Sequence, residues 1–314
     1  MQNLKVLILE GGFNEEHEVS LSTGLEVKKS LNNLGIEYKS ILVSPKNFAK
    51  KIKKYDTNFI CFNALHGTFG EDGEIQKILS KYSFKYTHSN AKTSAIGFNK
   101  ELTIKKIKKT SILIPKYFII KYGDISKKKL FEYFSDLGPF VIKPVSSGSS
   151  FGVKIFRDVK SINHFLKNLK KNVKVYKNHK NLIIQEYIPG RELTVAVVEK
   201  NKKSKAIEVT EIISKSDFFD YKSKYTKGFS RHTLPAKVPK NIYENCKSYA
   251  KLVHDKINCR GVSRSDFIFD NEKIYFLEIN TQPGLTKLSL VPEQLKYQNF
   301  SFEELILNLI KRAL

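Results

Sequence analysis

The chain has 314 residues, 41% of them hydrophobic, and a formal net charge of +24; that length exceeds one compact core and predicts two or three domains. Only six of the 55 basic residues are arginine, and the 49 lysines are spread along the chain instead of forming a basic arm or helix face, so the charge does not point to nucleic acid, whose bases and phosphates favour arginine. No apolar run approaches bilayer length and MQNLKVLILEGG leads straight into a strand, which predicts a cytoplasmic protein with no membrane partner.

Residues 3–10 read as a buried strand, Gly11-Gly12 as a tight turn and 19–34 as an amphipathic helix ending at Gly35. IEYKSILV (36–43), a lysine-rich helix and NFICFNAL (58–65) continue the alternation, predicting a parallel, Rossmann-like sheet with its ligand edge at the strand C-termini. Two loops fall on that edge, GGFNEEHEVS (11–20) with Glu16, and HGTFGEDGEIQ (66–76) opening on His66. Alone, such residues serve equally well as helix-dipole partners and satisfied loop side chains. Cys61, Cys246 and Cys259 are odd in number and lack metal-ligand spacing, which makes them core thiols.

Ser89 to Thr93 marks a boundary, and one helix is expected over 93–109, followed by KYFIIK, a helix over 126–137 and PFVIKP (139–144), which sets Lys143 at a strand end. VSSGSSFGV (145–153), with Ser149 and Ser150, is a serine- and glycine-rich loop between two strands; its amides can fold over phosphates, although it is not a G-x-x-x-x-G-K-[ST] loop, and a flexible hairpin has the same composition. NLIIQEYIPGRELTVAVV (181–198) places Gln185, Glu186, Tyr187 and Ile188 on a strand-to-crossover segment and Glu192 just after the turn; backbone groups there can pair with a purine and the carboxylate with ribose hydroxyls. Residues 214–231 lack periodicity and are long for a connection, which predicts a lid, with Lys222, Lys224 and Lys227 able to meet phosphate. A helix over 239–257 and an amphipathic one over 301–314 complete the chain.

Between them, SRSDFIF and KIYFLEIN read as buried strands that nevertheless carry charge, which demands compensation. Arg264 and Asp266 share a face of the first strand, Glu278 and Asn280 a face of the second. A three-residue turn at 270–272 sets Arg264 opposite Glu278 and brings the four onto one face, whereas a two-residue turn separates the pairs. Two carboxylates, an amide oxygen and a guanidinium suit divalent ions carrying a polyphosphate; a salt-bridged hairpin uses the same residues.

In order and spacing, GGFNEEHEVSL, HGTFGEDGEIQ, VIKPVSSGSSFGV, QEYIPGRELTV, DYKSKY, SRSDF and LEINTQPGLTKLSL resemble the D-alanine–D-alanine ligase family of the ATP-grasp superfamily over essentially the whole chain. The resemblance implies an α/β fold of three domains, here 1–90, 91–186 and 187–314, with ATP between two antiparallel sheets, two Mg2+ or Mn2+ ions, a homodimer, and ADP-forming synthesis of D-alanyl-D-alanine for peptidoglycan through a D-alanyl phosphate. It further implies metal binding by Asp266, Glu278 and Asn280, and phosphate contacts from Lys100, Lys143, Ser150 and Lys224. Adenine would meet the backbone of Glu186, Tyr187 and Ile188, ribose Glu192, and the oxyanion Arg264 and the Gly284 amide. Glu16 and His66 would receive the first D-alanine, Ser289 and Leu290 the second, and Glu16, Ser149 and Tyr225 would form a hydrogen-bonded chain fastening the lid. A histidine in place of Tyr225 would favour D-lactate, so tyrosine favours the dipeptide. The chain departs from the family at 145–147 and at Gln185, a position often acidic. Another carboxylate–amine or depsipeptide ligase, a basic binding module, and a catalytically dead homologue are the competing expectations.

Overall fold

The computed structural model describes residues 4–214 and 229–314. The first sheet is parallel, ordered β2-β1-β3, from β1 (Lys5–Gly11), β2 (Glu37–Val43) and β3 (Phe59–Asn63). Strand alternation splits β1 between two cores: Val6 and Ile8 pack with Val27 and Leu31 of α1 (His17–Asn33), while Leu7 and Leu9 pack with Phe48 of α2 (Phe48–Ile52) and with Ile75 and Leu79 of α3 (Glu74–Lys81). Burial on both faces explains why β1 reads as an unbroken apolar run.

The single helix expected over 93–109 is two helices, α4 (Ala91–Phe98) and α5 (Lys100–Ile107). Asn99 is extended, with φ −104° and ψ 106°, and its Oδ1 accepts from Leu102 N at 3.0 Å, capping α5. Lys100 N donates to Val145 O at 3.0 Å, so the break pins the first residue of α5 to the serine-rich loop.

The second sheet is antiparallel, ordered β4-β7-β5-β6, from β4 (Tyr117–Lys121), β5 (Phe140–Pro144), β6 (Lys154–Phe156) and β7 (Asn181–Glu186). Phe140, Ile142, Leu182 and Ile184 pack beneath α6 (Lys127–Leu137) and α7 (Val159–Lys167), and α8 (Leu169–Asn172) follows. By alternation Val141, Lys143, Ile183 and Gln185 face the other way.

The third sheet, β10-β9-β8-β11-β12, joins β8 (Arg191–Lys200), β9 (Lys203–Ser214), β10 (Ser230–Thr233), β11 (Val262–Phe269) and β12 (Ile274–Asn280). Leu193, Val195, Val197, Phe267 and Phe276 pack on α9 (Lys240–Lys256). On the opposite face, Ala196, Val198 and Val262 join the core shared with β1, α10 (Leu290–Tyr297) and α11 (Phe302–Ala313), while Glu192, Thr194, Arg264 and Asp266 occupy the other end. One sheet face thus serves as core at one end and as a polar site at the other.

The β11–β12 hairpin differs from its sequence reading in register. Arg264 pairs with Asn280 and Asp266 with Glu278, but Phe269 pairs with Ile274. Asp270 N donates to Lys273 O at 3.1 Å around Asn271, whose φ is 80°. That turn alone would put the polar pairs on opposite faces. A register shift between Asp266 and Phe267 makes Leu277 an extra residue and restores the parity. The four side chains therefore share a face through a bulge instead of a three-residue turn.

Residues 215–228, which hold Lys222, Lys224, Tyr225 and Lys227, lie outside the described residues. Among the described residues no helix is long and apolar enough to cross a membrane, and the three cysteines are buried and free. Burial pushes the Cys246 thiol up to about 12 and raises Cys61 and Cys259 above their ordinary range, which fits core thiols.

Candidate active site

The second and third sheets face each other across a cleft. Val141, Lys143, Gln185 and Ile188 line one wall, Glu192, Phe267, Ile268 and Leu277 the other, and Lys100, Ser147, Ser150, Asp266 and Glu278 the inner end. The bulge is what lets Leu277 and Glu278, adjacent in sequence, both reach this cavity. An apolar slot closed by charge at one end suits a ligand with a flat apolar head and an anionic tail.

Lys100 lies beneath the loop with its Nζ 3.0 Å from Ser147 O and 3.2 Å from Glu278 Oε2. Burial, reinforced by the like charge of Lys100, lowers the Lys143 ammonium to about 8; Glu278 and Glu192 partly offset this. Ser149 and Ser150 adopt left-handed φ values of 47° and 56°, a costly conformation for non-glycine residues that concentrates at ligand-holding loops.

A second cavity opens from the inner end, sharing Lys100, Ser147 and Glu278 with the first. Glu16, His66, Glu71, Ser149, Arg264, Asn280 and Gly284 line it. Ser149 Oγ donates to Glu16 Oε1, joining the parallel sheet's first loop to the serine-rich loop. Gly67 has φ +70° and its absent Cβ would fall 2.5 Å from Glu16 Oε2, so conformation and space both require glycine there. His66 Nδ1 lies 3.2 Å from Glu71 Oε1 and its Nε2 2.9 Å from Thr23 Oγ1, which fixes the ring from both sides.

Arg264 forms a two-point ion pair with Asp266, Nε to Oδ1 at 2.9 Å and Nη2 to Oδ2 at 2.7 Å, and Thr194 Oγ1 donates to the same Oδ1 at 2.6 Å. Asn280 Oδ1 accepts from Gln282 N at 2.7 Å. Among the described residues no three His, Cys, Asp or Glu side chains make a protein-only metal cage. The two carboxylates and one amide oxygen on a common sheet face nevertheless fit magnesium, which takes few protein ligands and completes its shell with water and phosphate. Each carboxylate already faces a cation, Arg264 or Lys100, so bound divalent ions would compete with those pairs.

Thus Lys100, Lys143, Ser150, Glu186, Tyr187, Ile188 and Glu192 line the first cavity; Glu16, His66, Ser149, Arg264, Asn280 and Gly284 line the second; and Asp266 and Glu278 stand at the inner end. Ser289 and Leu290 are set back from both linings. Ser289 Oγ accepts from Thr286 N at 3.0 Å and lies 2.9 Å from where a Gly284 Cβ would stand; Leu290 is buried beside Ile212. Sequence reasoning missed Glu71 and Gln282. Glu71 lay in a quoted motif, but which of its acidic residues turns inward depends on the turn at Phe69, whose φ is 76°. Gln282 accepts through Oε1 from Asn63 Nδ2 at 2.8 Å and donates through Nε2 to Leu65 O at 2.5 Å, tying the residues after β12 to the end of β3, contacts 219 and 217 residues apart.

Two antiparallel sheets clasping a cleft, with paired lysines and a carboxylate set at its inner end, define the ATP-grasp class of ligases. A family model described as D-ala D-ala ligase C-terminus matches residues 106–311. A Pelagibacter ubique D-alanine–D-alanine ligase is 42% identical, with 98% of each chain covered, and a Zymomonas mobilis D-alanine–D-alanine ligase is 39% identical over 98% of this chain and 94% of the relative. The Bacillus anthracis D-alanine–D-alanine ligase superposes with a TM-score of 0.82 at 27% identity, over 99% of this chain and 97% of that one; its complex with ATP superposes at 0.80, with 25% identity, over 100% and 97%. The chain belongs to the D-alanine–D-alanine ligase family.

Proposed function

We propose that this chain joins two D-alanine molecules at the expense of ATP, releasing ADP and phosphate, in the cytoplasm where both are supplied, as a homodimer making a peptidoglycan precursor. The observation that carries the reading is the continuity of the two cavities through Lys100, Ser147 and Glu278, with Asp266, Asn280 and Arg264 at the seam. A carboxylate held in the second cavity can there meet the end of a triphosphate held in the first.

In the first step a carboxylate oxygen of one D-alanine attacks the terminal phosphorus and ADP leaves; in the second the deprotonated amine of the other attacks the acyl carbon and phosphate leaves. Asp266, Glu278 and Asn280 are the residues to hold two Mg2+ or Mn2+ ions, which supply charge neutralisation to the phosphates. Lys100, Lys143 and Lys224 would add positive charge, and Ser150 would support the phosphate loop. Glu186 N is taken by Lys116 O at 2.8 Å and Tyr187 N by Pro139 O at 2.9 Å, so Ile188 N–H is the donor we assign to adenine, with Glu192 on the ribose.

On this reading Glu16 and His66 would orient the first amino acid's ammonium, Arg264 and the Gly284 amide would steady the tetrahedral oxyanion, and Ser289 with Leu290, although set back from both cavities, would receive the second carboxylate. The residue that would choose the nucleophile on this reading is Tyr225. Its neutral phenol leaves room for an incoming ammonium, which favours dipeptide over depsipeptide. The test is ADP release with Mg-ATP and D-alanine, L-alanine, or D-alanine plus D-lactate, with mass detection. Dipeptide from D-alanine alone is expected. Product only with D-lactate would overturn the choice of nucleophile, and silence throughout would overturn the reaction.

A further inference from the structure

Residue 294 is a glutamine where the packing asks for an apolar side chain. The buried stripe of α10 is Leu290, Val291, Gln294 and Leu295, and Val291 and Leu295 belong to the core that α10 shares with β8. Gln294 lies within that stripe with none of its surface exposed. Its carboxamide bonds to the sheet: Oε1 accepts from Ala196 N at 2.9 Å, and Nε2 donates to Thr194 O at 3.1 Å and to Thr210 Oγ1 at 2.9 Å. These bonds fall at an irregularity. Val195 pairs with Val209 but Val197 with Ala206, so Ala196 of β8 faces both Ile207 and Glu208 of β9. Gln294 fills the interruption as a strand residue would, offering one donor and one acceptor to groups of β8 two residues apart.

An apolar stripe holds a helix against a sheet but lets it slide; directional bonds within the stripe fix its position. Two further contacts act in the same sense. Gln298, just past the end of α10, donates through Nε2 to Glu208 Oε2 at 2.7 Å, and Glu293 Oε2 lies 2.8 Å from His232 Nδ1 of β10. What is fixed bears on the chemistry. Thr194, whose carbonyl takes the Gln294 bond, donates through Oγ1 to Asp266 Oδ1 at 2.6 Å, and α10 begins at Ser289 and Leu290. We propose that Gln294 is a positioning residue for the second half of the reaction: it holds the Ser289–Leu290 end of α10 in place relative to β8 and Asp266, and so aims the second D-alanine at the acyl carbon. The proposal rests on the reading that Ser289 and Leu290 receive the second carboxylate. A displacement of that end by about 1 Å would misalign the amine and cost on the order of tenfold to hundredfold in its capture. No residue of α10 lines the nucleotide cavity, so ATP should be held as before.

The test is the D-alanine dependence of ADP release at saturating Mg-ATP, which carries one half-saturation for each D-alanine site, read beside the KM for ATP and a thermal melt. Ser289→Ala should raise one of the two half-saturations and thereby mark the acceptor's. Gln294→Met, which keeps the length of the side chain and removes its bonds, is expected to raise that same value about tenfold or more, with the other half-saturation and the KM for ATP within about twofold of wild type. Thr210→Val replaces a hydroxyl by a methyl, removes one of the three bonds, and should raise it about threefold; it decides the matter alone if Gln294→Met does not fold. In folded variants an unchanged acceptor half-saturation would overturn the proposal, and so would an equal rise in all three constants, which a general loosening produces. If Ser289→Ala moves neither half-saturation, the acceptor reading falls and the proposal with it. If it moves one that Gln294→Met and Thr210→Val leave alone, only the proposal falls.

Discussion

Glutamine at position 278 keeps the shape of the side chain and removes its charge. Glu278 Oε2 stands 3.2 Å from Lys100 Nζ, with the glutamate side chain 30% exposed and the lysine 7%. At an effective dielectric constant of about 20 two unit charges at that distance attract by ~5 kcal/mol; water at the partly exposed carboxylate leaves about 1–2 kcal/mol of net stability. The variant should therefore melt only a few degrees lower, because Lys100 keeps Ser147 O at 3.0 Å. Turnover should fall far more, by about a hundredfold or beyond, since one of the two carboxylates proposed to hold the metal ions is gone. Glu278 also raises the Lys143 pKa, so the variant's lysine titrates below about 8 and its deficit should widen between pH 7 and 8. ADP release with D-alanine at saturating Mg2+, run beside a thermal melt, separates the effects. Near-wild-type kcat/KM in a folded variant would refute the metal assignment.

Lys143 itself predicts a pH dependence. Its ammonium is the phosphate-binding form and is lost above about 8, so the KM for ATP should be flat from pH 6.5 to 7.5 and climb above pH 8; Lys143→Arg, charged throughout, should flatten the profile. Because the folded pKa lies below the usual 10.5, the unfolded chain binds the extra proton between the two values and stability without nucleotide should rise with pH there, a slope that chemical denaturation at pH 8 and 9.5 reads in wild type and should not find in Lys143→Met. Gly97→Ala places a Cβ 2.4 Å from Thr281 Cγ2 and should cost about 1–3 kcal/mol by overpacking; adding Thr281→Ser, which removes that methyl, should restore the melting temperature. Gln282→Leu leaves Leu65 O without its 2.5 Å donor and should cost about 1–3 kcal/mol while raising the KM for D-alanine more than that for ATP, because the bridge holds the loop that carries His66.

The sequence by itself determined the alternation of strands and helices, the ends of α6, α9 and α11 to within a residue or two, and the family, because each is written in local spacing. It also placed Lys143 at a strand end and put Asp266 and Glu278 in facing strands, since period two fixes a side chain's face once a strand is recognised. Tertiary structure alone decided how those faces meet. The hairpin gathers Arg264, Asp266, Glu278 and Asn280 through a bulge at Leu277, and a bulge leaves no mark in composition because it is set by how β11 must lie against both β8 and β12. The break at Asn99, which turns Lys100 into the cleft, lies within a run whose periodicity is helical on both sides; the bond from Lys100 N to Val145 O helps to hold it there. Glu71 against His66 and Gln282 against Asn63 and Leu65 are contacts between loops that no short-range pattern encodes, the latter across more than 200 residues of chain. The unpaired amide of Gln185 belongs with them. In sequence it is one polar residue in a strand, and only the surrounding fold shows that its buried Nε2 has no hydrogen-bond partner.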